Sequence, residues 1–102
     1  MQKIAILVEK IYEDMELWYP YYRLQEAGFH VDLVGTDKGT TYLSKHDYPA
    51  TSDLASRDIQ AADYVAVIIP GGYSPDHMRR CKGAAEFVRD LDKAGKLIAT
   101  IC

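Results

Sequence analysis

Three short apolar runs constrain the fold of this chain most strongly. They cover residues 4–8, 65–69 and 97–101, where Thr100 interrupts the third run, and longer segments of mixed polarity separate them. Nearly continuous apolar runs of this length are typical of strands that are covered on both faces, as in a parallel sheet. Residues 31–34 form a weaker strand of the same kind. All of these runs are far shorter than the roughly 20 residues of a membrane-spanning helix, so we expect no membrane segment.

A helix is predicted between the first two strands. Asp14 is its expected N-cap, the helix runs to about Ala27, and Gly28 follows its end. Pro20 lies inside this segment and is expected to kink the helix or to mark a late first turn. Apolar and aromatic residues surround the segment on nearly all sides, so we expect burial on more than one face.

A second helix is predicted from Ser74 or Pro75 to about Lys93, where Gly95 ends it. Its predicted buried stripe consists of Ala84, Ala85, Phe87, Val88 and Leu91. Residues 36–58 are rich in turn formers and are expected to contain a short hairpin. Strands that alternate with helices predict an open α/β sheet with right-handed crossovers.

This layout also predicts where a functional site lies. In open α/β sheets, ligands bind at the carboxyl ends of the strands. Residues 9–16 follow the first strand, residues 70–77 follow the third, and Cys102 follows the fourth. Carboxylates, a glycine pair and a thiol therefore meet at one edge of the sheet. These groups are the components of a thiol-nucleophile site, namely a nucleophile, a proton partner and oxyanion donors.

Several motifs along the whole chain identify a family. They are Glu-Asp-Met-Glu-Leu at 13–17, Tyr-Pro-Tyr at 19–21, Arg-Leu at 23–24, Lys-His at 45–46, Ile-Pro-Gly-Gly at 69–72 and Ile-Ala-Thr-Ile-Cys at 98–102. In this order and spacing they resemble the N-terminal part of a ThiJ/PfpI superfamily protein of the PfpI branch. The resemblance implies a flavodoxin-like, class I glutamine amidotransferase-like α/β fold with helices on both faces of a mostly parallel sheet. We expect residues 1–102 to be part of a single such domain, incomplete in this chain, because the final strand has nothing to cover it and the His-Gly that follows the family cysteine is absent.

The resemblance also assigns roles to individual residues. Cys102 matches the family nucleophile at a strand-to-helix elbow, and Glu16 matches the carboxylate that hydrogen-bonds its sulfur. Gly71 and Gly72 match the pair whose backbone N–H groups face the substrate oxyanion. Asp76 matches an acidic position, usually Glu, that reaches a histidine of a neighbouring subunit in the protease branch. We expect the sulfur of Cys102 to lie within hydrogen-bonding reach of Glu16.

Two functional classes follow from the resemblance. The first is a cysteine-nucleophile enzyme that hydrolyses peptides or performs glyoxalase or deglycase chemistry on 2-oxoaldehydes and their adducts. The second is a non-catalytic stress or redox sensor that uses oxidation of the same cysteine. Both depend on a reactive thiolate, so the sequence hardly separates them. In either class we expect Cys102 to be easier to oxidise or alkylate than Cys81.

Each of these residues also has a purely structural interpretation. Cys102 is otherwise a small core residue at the end of a strand. Glu13, Asp14 and Glu16 are otherwise acids that face the positive end of a helix dipole. Gly71 and Gly72 alone would make a tight turn, and His77 and Cys81 are expected to be ordinary helix residues. No partner is predicted for His30 or His46.

The charge balance and the motifs exclude several classes of ligand. The net charge is −3, so nucleic acid is not an expected partner. We predict no metal and no nucleotide cofactor, because no ligand spacing and no phosphate-binding glycine motif is present. Two cysteines and the absence of a signal peptide favour the cytoplasm. Asp76 and an aromatic helix, with Trp18, Tyr19, Tyr21 and Tyr22, predict a homo-oligomer.

Overall fold

A computed structural model describes residues 1–102 and contains a five-stranded parallel sheet. The strand order is β5-β2-β1-β6-β7. These strands are β1 (Lys3–Leu7), β2 (His30–Gly35), β5 (Leu54–Ala55), β6 (Ala66–Ile69) and β7 (Leu97–Thr100). The hairpin predicted in 36–58 is present as β3 (Thr41–Leu43) and β4 (Pro49–Thr51). The predicted open α/β sheet is confirmed. The short edge strand β5 was not predicted, because it lies within the turn-rich segment 36–58.

Helices cover both faces of this sheet. They are α1 (Asp14–Glu26), α2 (Ser74–Met78) and α3 (Lys82–Lys93). Alternate strand residues point to opposite faces. Ile6 and Val8 therefore pack with α1 and the hairpin, whereas Ala5 and Leu7 pack with the Phe87 and Leu91 side of α3. The sheet is thus the middle layer of three, as its apolar strands require.

The first helix differs from its prediction in two respects. Glu13 is the N-cap, and Asp14 is the first helical residue. The Asp14 carboxylate does not cap the helix because it is hydrogen-bonded to the His46 ring. Burial on more than one face is also wrong, because Leu17 alone is fully buried in α1. The outer face of the helix carries exposed side chains, namely Met15, Tyr19 and Tyr22. The helix continues through Pro20.

The second predicted helix is two helices, because the chain leaves helical geometry between Met78 and Lys82. Cys81 is extended, with φ −92° and ψ 110°, and is the N-cap of α3. The break allows α3 to dock on the loop after β5, where a methyl group on Gly83 would lie 2.9 Å from the backbone nitrogen of Arg57. Within the predicted stripe, Ala84, Phe87 and Leu91 are buried, whereas Ala85 is exposed.

A buried polar group in β2 supplies a partner for one histidine. The Asp32 carboxylate accepts a hydrogen bond of 2.7 Å from the Tyr64 hydroxyl, and it lies 2.8 Å from Nε2 of His30. Burial, followed by this hydrogen bond, raises the pKa of Tyr64. None of the helices is both long enough and apolar enough to cross a lipid bilayer.

Candidate functional site

Two of the predicted site residues, Glu16 and Cys102, lie against Gly71. It follows β6, at the carboxyl edge of the sheet, and it is buried. A methyl group added to Gly71 would lie 2.5 Å from Oε1 of Glu16 and 2.7 Å from Cβ of Cys102. It would also lie 2.9 Å from the backbone oxygen of Ile101. The fold therefore brings a helix carboxylate and the cysteine after β7 against the same glycine α-carbon, which only a residue without a side chain allows.

The hydrogen bonding around the glycine pair differs from the expected pattern. Oε1 of Glu16 accepts a hydrogen bond of 2.7 Å from the Gly71 N–H. No hydrogen bond joins the Glu16 carboxyl group to the Cys102 sulfur. The Gly71 N–H is consequently already engaged, whereas the Gly72 N–H donates no hydrogen bond within the chain. In this arrangement Gly72, and not Gly71, offers the open backbone donor.

Residues 11–13 form a short strap that connects the hairpin to the glycine pair. The Ile11 N–H donates to the Leu43 carbonyl at 2.7 Å, and the Ile11 carbonyl accepts from the Tyr73 N–H at 2.9 Å. The Glu13 N–H donates to the Gly71 carbonyl at 3.2 Å. A methyl group on Gly72 would lie 2.7 Å from the Ile11 carbonyl oxygen. Gly72 has φ +83°, so both its space and its conformation call for glycine.

Three residues other than glycine adopt a left-handed backbone, and two of them border the glycine pair. Their φ values are 63° for Ile11, 61° for Asp47 and 60° for Cys102. Such conformations are unfavourable for residues with a β-carbon and tend to occur at functional sites. The positive φ of Cys102 agrees with the strained elbow that the family resemblance implies.

Asp76 and His77 lie on α2 and do not join this cluster. The Asp76 carboxylate is 59% exposed and forms an ion pair with Arg79, with an N···O distance of 3.3 Å. His77 is half-buried. Asp76 therefore points to solvent, where it is available to another molecule.

The hairpin adds a histidine for which sequence analysis found no partner. Nδ1 of His46 lies 2.9 Å from Oδ1 of Asp14, and Nζ of Lys45 lies 3.3 Å from Oε2 of Glu13. The Asp14 hydrogen bond raises the pKa of His46. Burial alone would raise the pKa of Asp14, but hydrogen bonds from His46 and Ser44 hold it below its ordinary value. The only feature of the sequence that indicated this contact was the occurrence of the Glu-Asp motif at 13–14 and the Lys-His motif at 45–46 in the order typical of the family.

The grouping of Glu13, Asp14 and His46 has the composition of a metal-ligand set. Their ligand atoms lie within 4.8 Å of one another. The Lys45 ammonium group and the His46 ring already contact the two carboxylates, and these contacts account for the cluster.

The largest cavity lies away from Cys102 and contains the other thiol. It has a volume of about 580 Å³ and is bordered by Ser56, Arg57 and the start of α3. Burial raises the pKa of Cys81, but hydrogen bonds from Ser56, from the backbone N–H of Ala84, and from Thr36 and Gly83 lower it overall. The largest of these lowering effects is the hydrogen bond with Ser56, which the expectation of an ordinary helix residue did not include.

The outer face of α1 is aromatic and solvent-exposed. Tyr19 and Tyr22 are 65% and 62% exposed, and Met15 is 67% exposed. The Trp18 ring stacks on Tyr22 at 5.8 Å between centroids and meets Tyr48 edge-on at 5.9 Å. A groove of about 420 Å³ runs along this face.

Comparison with known sequences connects this arrangement to one family. The DJ-1/PfpI family model matches residues 2–102. The protein named Deglycase PfpI of Pyrococcus furiosus is 37% identical over 100 residues, which cover 98% of this chain and 60% of that protein. The Bacillus subtilis protein named "Putative cysteine protease YraA" is 35% identical over 101 residues, covering 99% of this chain and 60% of that protein. The chain thus spans about 60% of the length of these relatives.

Solved structures share the fold. A two-domain protein of Anabaena variabilis with DJ-1/ThiJ/PfpI-like and ferritin-like domains has a TM-score of 0.97 at 36% identity, covering 100% of this chain and 30% of that one. A mutant of a DJ-1 superfamily protein from Salmonella typhimurium has a TM-score of 0.91 at 28% identity, covering 100% of this chain and 56% of that one.

Proposed function

Because this chain belongs to the DJ-1/PfpI family, we propose that it is the N-terminal part of a PfpI-type enzyme with Cys102 as its nucleophile. Residues 1–102 would then be part of one α/β domain, completed by sequence that the longer relatives possess. The observation that carries the proposal is the contact of Glu16 and Cys102 with the same glycine. Relatives named as a deglycase and as a cysteine protease support chemistry at a carbonyl group.

The reaction begins with addition of sulfur to a carbonyl carbon. The thiol proton of Cys102 passes to the Glu16 carboxylate, and a sulfur electron pair forms the new C–S bond. The π pair of the carbonyl moves to its oxygen, which becomes an oxyanion. The Gly72 N–H, which is free of other hydrogen bonds, stabilises that charge. Glu16 then returns its proton to the oxyanion and gives a neutral hemithioacetal.

The substrate proposed for this site is a small 2-oxoaldehyde or its adduct with an amine, with a peptide as the alternative. The relative named as a deglycase supports the first of these substrates, and the relative named as a cysteine protease supports the second.

Methylglyoxal consumption by the full-length protein tests this proposal. We expect turnover by the wild-type protein and its loss in Cys102→Ser, with Cys81→Ser as the matched control that keeps it. Equal turnover by wild type and Cys102→Ser would overturn the nucleophile assignment.

The second candidate function, a redox sensor, is favoured by the free N–H group of Gly72, which is the residue after the Gly71 that contacts Cys102. A sulfinate at this position would accept a hydrogen bond from Gly72. If the protein shows no turnover of carbonyl substrates but Cys102 converts to sulfinate under mild peroxide before Cys81 reacts, the sensor is the better description.

We further propose that the protein works as a homo-oligomer through the aromatic face of α1, with Asp76 facing a neighbouring subunit. An exposed aromatic patch of this kind usually marks an interface. Light scattering of the full-length protein at micromolar concentration should show a dimer or larger species, and Tyr19→Lys together with Tyr22→Lys should dissociate it. A fully active wild-type monomer would contradict this proposal.

A further inference from the structure

Ile11 is the residue whose conformation the fold explains least. A β-branched residue strongly disfavours the left-handed region, yet Ile11 has φ 63°. The other two such residues are easier to account for, because Asp47 is of a type that tolerates this region and Cys102 is the proposed nucleophile.

The backbone role of Ile11 does not require isoleucine. Its N–H and carbonyl groups hold the strap between Leu43 and Tyr73. Glycine or asparagine would make the same two backbone hydrogen bonds and would adopt a positive φ at lower cost. Ile11 therefore keeps a strained backbone conformation although its side chain contributes nothing to the hydrogen bonds of the strap.

The Ile11 side chain is apolar and remains 39% exposed. Its backbone lies against Gly72, while Cys102 lies against Gly71, so the two left-handed residues flank the glycine pair. In the binding mode proposed above, a reactant is bonded to the Cys102 sulfur on one side of this pair and has its oxygen at the Gly72 N–H. We take the remainder of such a reactant to extend toward Ile11 on the other side of the pair.

We propose that Ile11 is a specificity-determining residue that contacts the alkyl end of a 2-oxoaldehyde whose aldehyde carbon is bonded to Cys102, and that it selects substrates with a small alkyl group there. This inference rests on the proposed function of Cys102. The aliphatic side chain favours a methyl or propyl substituent over hydrogen, because contact removes apolar surface from water on both sides. One alkyl group in such a contact changes the rate ratio by about tenfold.

The test compares two thiol reagents, so it reports on the site even without turnover. Full-length protein is treated with iodoacetamide or its N-propyl derivative, and mass spectrometry gives the labelling rate of Cys102 for each. The variants are Ile11→Asn and Ile11→Gly, which both suit a positive φ, so that one remains informative if the other does not fold. Leu43→Asn is the matched control, because Leu43 is an exposed aliphatic residue on the neighbouring hairpin.

We expect the wild type to favour the N-propyl reagent, and both Ile11 variants to lower that rate ratio by about fivefold or more. Leu43→Asn should keep the ratio within about twofold of the wild type. An unchanged ratio in a folded Ile11 variant, or an equal loss in Leu43→Asn, would overturn the proposal. Methylglyoxal turnover is measured in parallel, so a wild type that keeps the labelling preference without turnover contradicts the enzyme proposal alone.

Discussion

The two cysteines of this chain occupy opposite kinds of environment. Cys81 is half-buried at the N-terminus of α3, and its sulfur lies 3.4 Å from the Ser56 hydroxyl. Cys102 is exposed after β7 in a left-handed conformation, against the Gly71 that also contacts Glu16. The thiol whose pKa is lowered and the thiol that lies against the glycine pair therefore belong to two different residues.

This difference shows that a lowered thiol pKa alone is not sufficient for a catalytic site. Hydrogen bonds lower the pKa of Cys81, but no carboxyl group is among its hydrogen-bond partners. Near Cys102, the Glu16 carboxylate lies across Gly71, and a free N–H group follows at Gly72. Catalysis requires a nucleophile, a proton partner and an oxyanion donor together, and our proposal assigns these three roles to the Cys102 region.

The largest expected effect comes from matched glycine substitutions, one beside each cysteine. Gly71→Ala would force a methyl group between Glu16 and Cys102, and we expect kcat/KM to fall by about 100-fold or more. Gly83→Ala would collide with Ser56 and Arg57 on the Cys81 side. It should lower the free energy of unfolding by about 1–3 kcal/mol while leaving kcat/KM nearly unchanged.

Steady-state kinetics and denaturant unfolding of the full-length variants measure both effects. Loss of activity in Gly83→Ala with retention in Gly71→Ala would reverse the roles of the two cysteines.

A smaller effect separates the two roles of Glu16. In Glu16→Gln the amide oxygen still accepts the Gly71 N–H, so Cys102 labelling by iodoacetamide should stay within about threefold of wild type. Turnover should fall by about 100-fold, because an amide does not carry a proton. In Glu16→Asp we expect Cys102 labelling to be lost in addition to turnover, since the shorter side chain no longer reaches Gly71. If Glu16→Gln keeps full turnover, the carboxyl group does not transfer the proton.

Removal of the Ser56 hydroxyl group should change the labelling rate of Cys81 and leave that of Cys102 unchanged. Ser56→Ala removes a hydrogen bond that lowers the pKa of Cys81, so Cys81 labelling at neutral pH should slow by about threefold. Cys102 in the same sample should label at its wild-type rate. A parallel change at both cysteines would indicate that the two regions are coupled.

The smallest expected effect concerns pH on the Cys102 side. The His46 pKa is raised above 6.5, and the Asp14 pKa is lowered below 3.8. The stabilisation due to His46 is therefore complete below pH 6.5 and is lost as the pH rises through its folded-state pKa. The stabilisation due to Asp14 is present above pH 3.8 and is lost as the pH falls through its folded-state pKa.

An NMR titration should place the His46 pKa above that of a free histidine, and Asp14→Asn should return it to the ordinary value.

The strands could be predicted because each is a short apolar run in the sequence. The segments that form the candidate site could be predicted because they directly follow those strands, at the carboxyl edge of the sheet. Glu16, Gly71 and Cys102 were expected at one edge of the sheet, and the structure brings them together. The engaged Gly71 N–H was not predictable, because a side-chain rotamer decides which acceptor it meets. The strained Ile11 had no sequence signal, since an isoleucine in a left-handed conformation contradicts local propensity.

The break before α3 was missed for a similar reason. Residues 74–93 have continuous helical periodicity, and only the long-range docking of Gly83 on Arg57 fixes where the second segment begins. The break also places Cys81 beside the backbone N–H groups of Gly83 and Ala84, which add to the effect of Ser56 in lowering its pKa.

The most direct test of the account follows activity and labelling in one sample. Full-length wild-type protein is treated with iodoacetamide near neutral pH, and aliquots are assayed for methylglyoxal turnover and analysed by mass spectrometry for both cysteines. We predict that activity falls with the rate constant of Cys102 alkylation and that Cys102 labels before Cys81. Activity that persists after Cys102 is fully alkylated, or that falls only as Cys81 is labelled, would contradict the claim that Cys102 is the nucleophile.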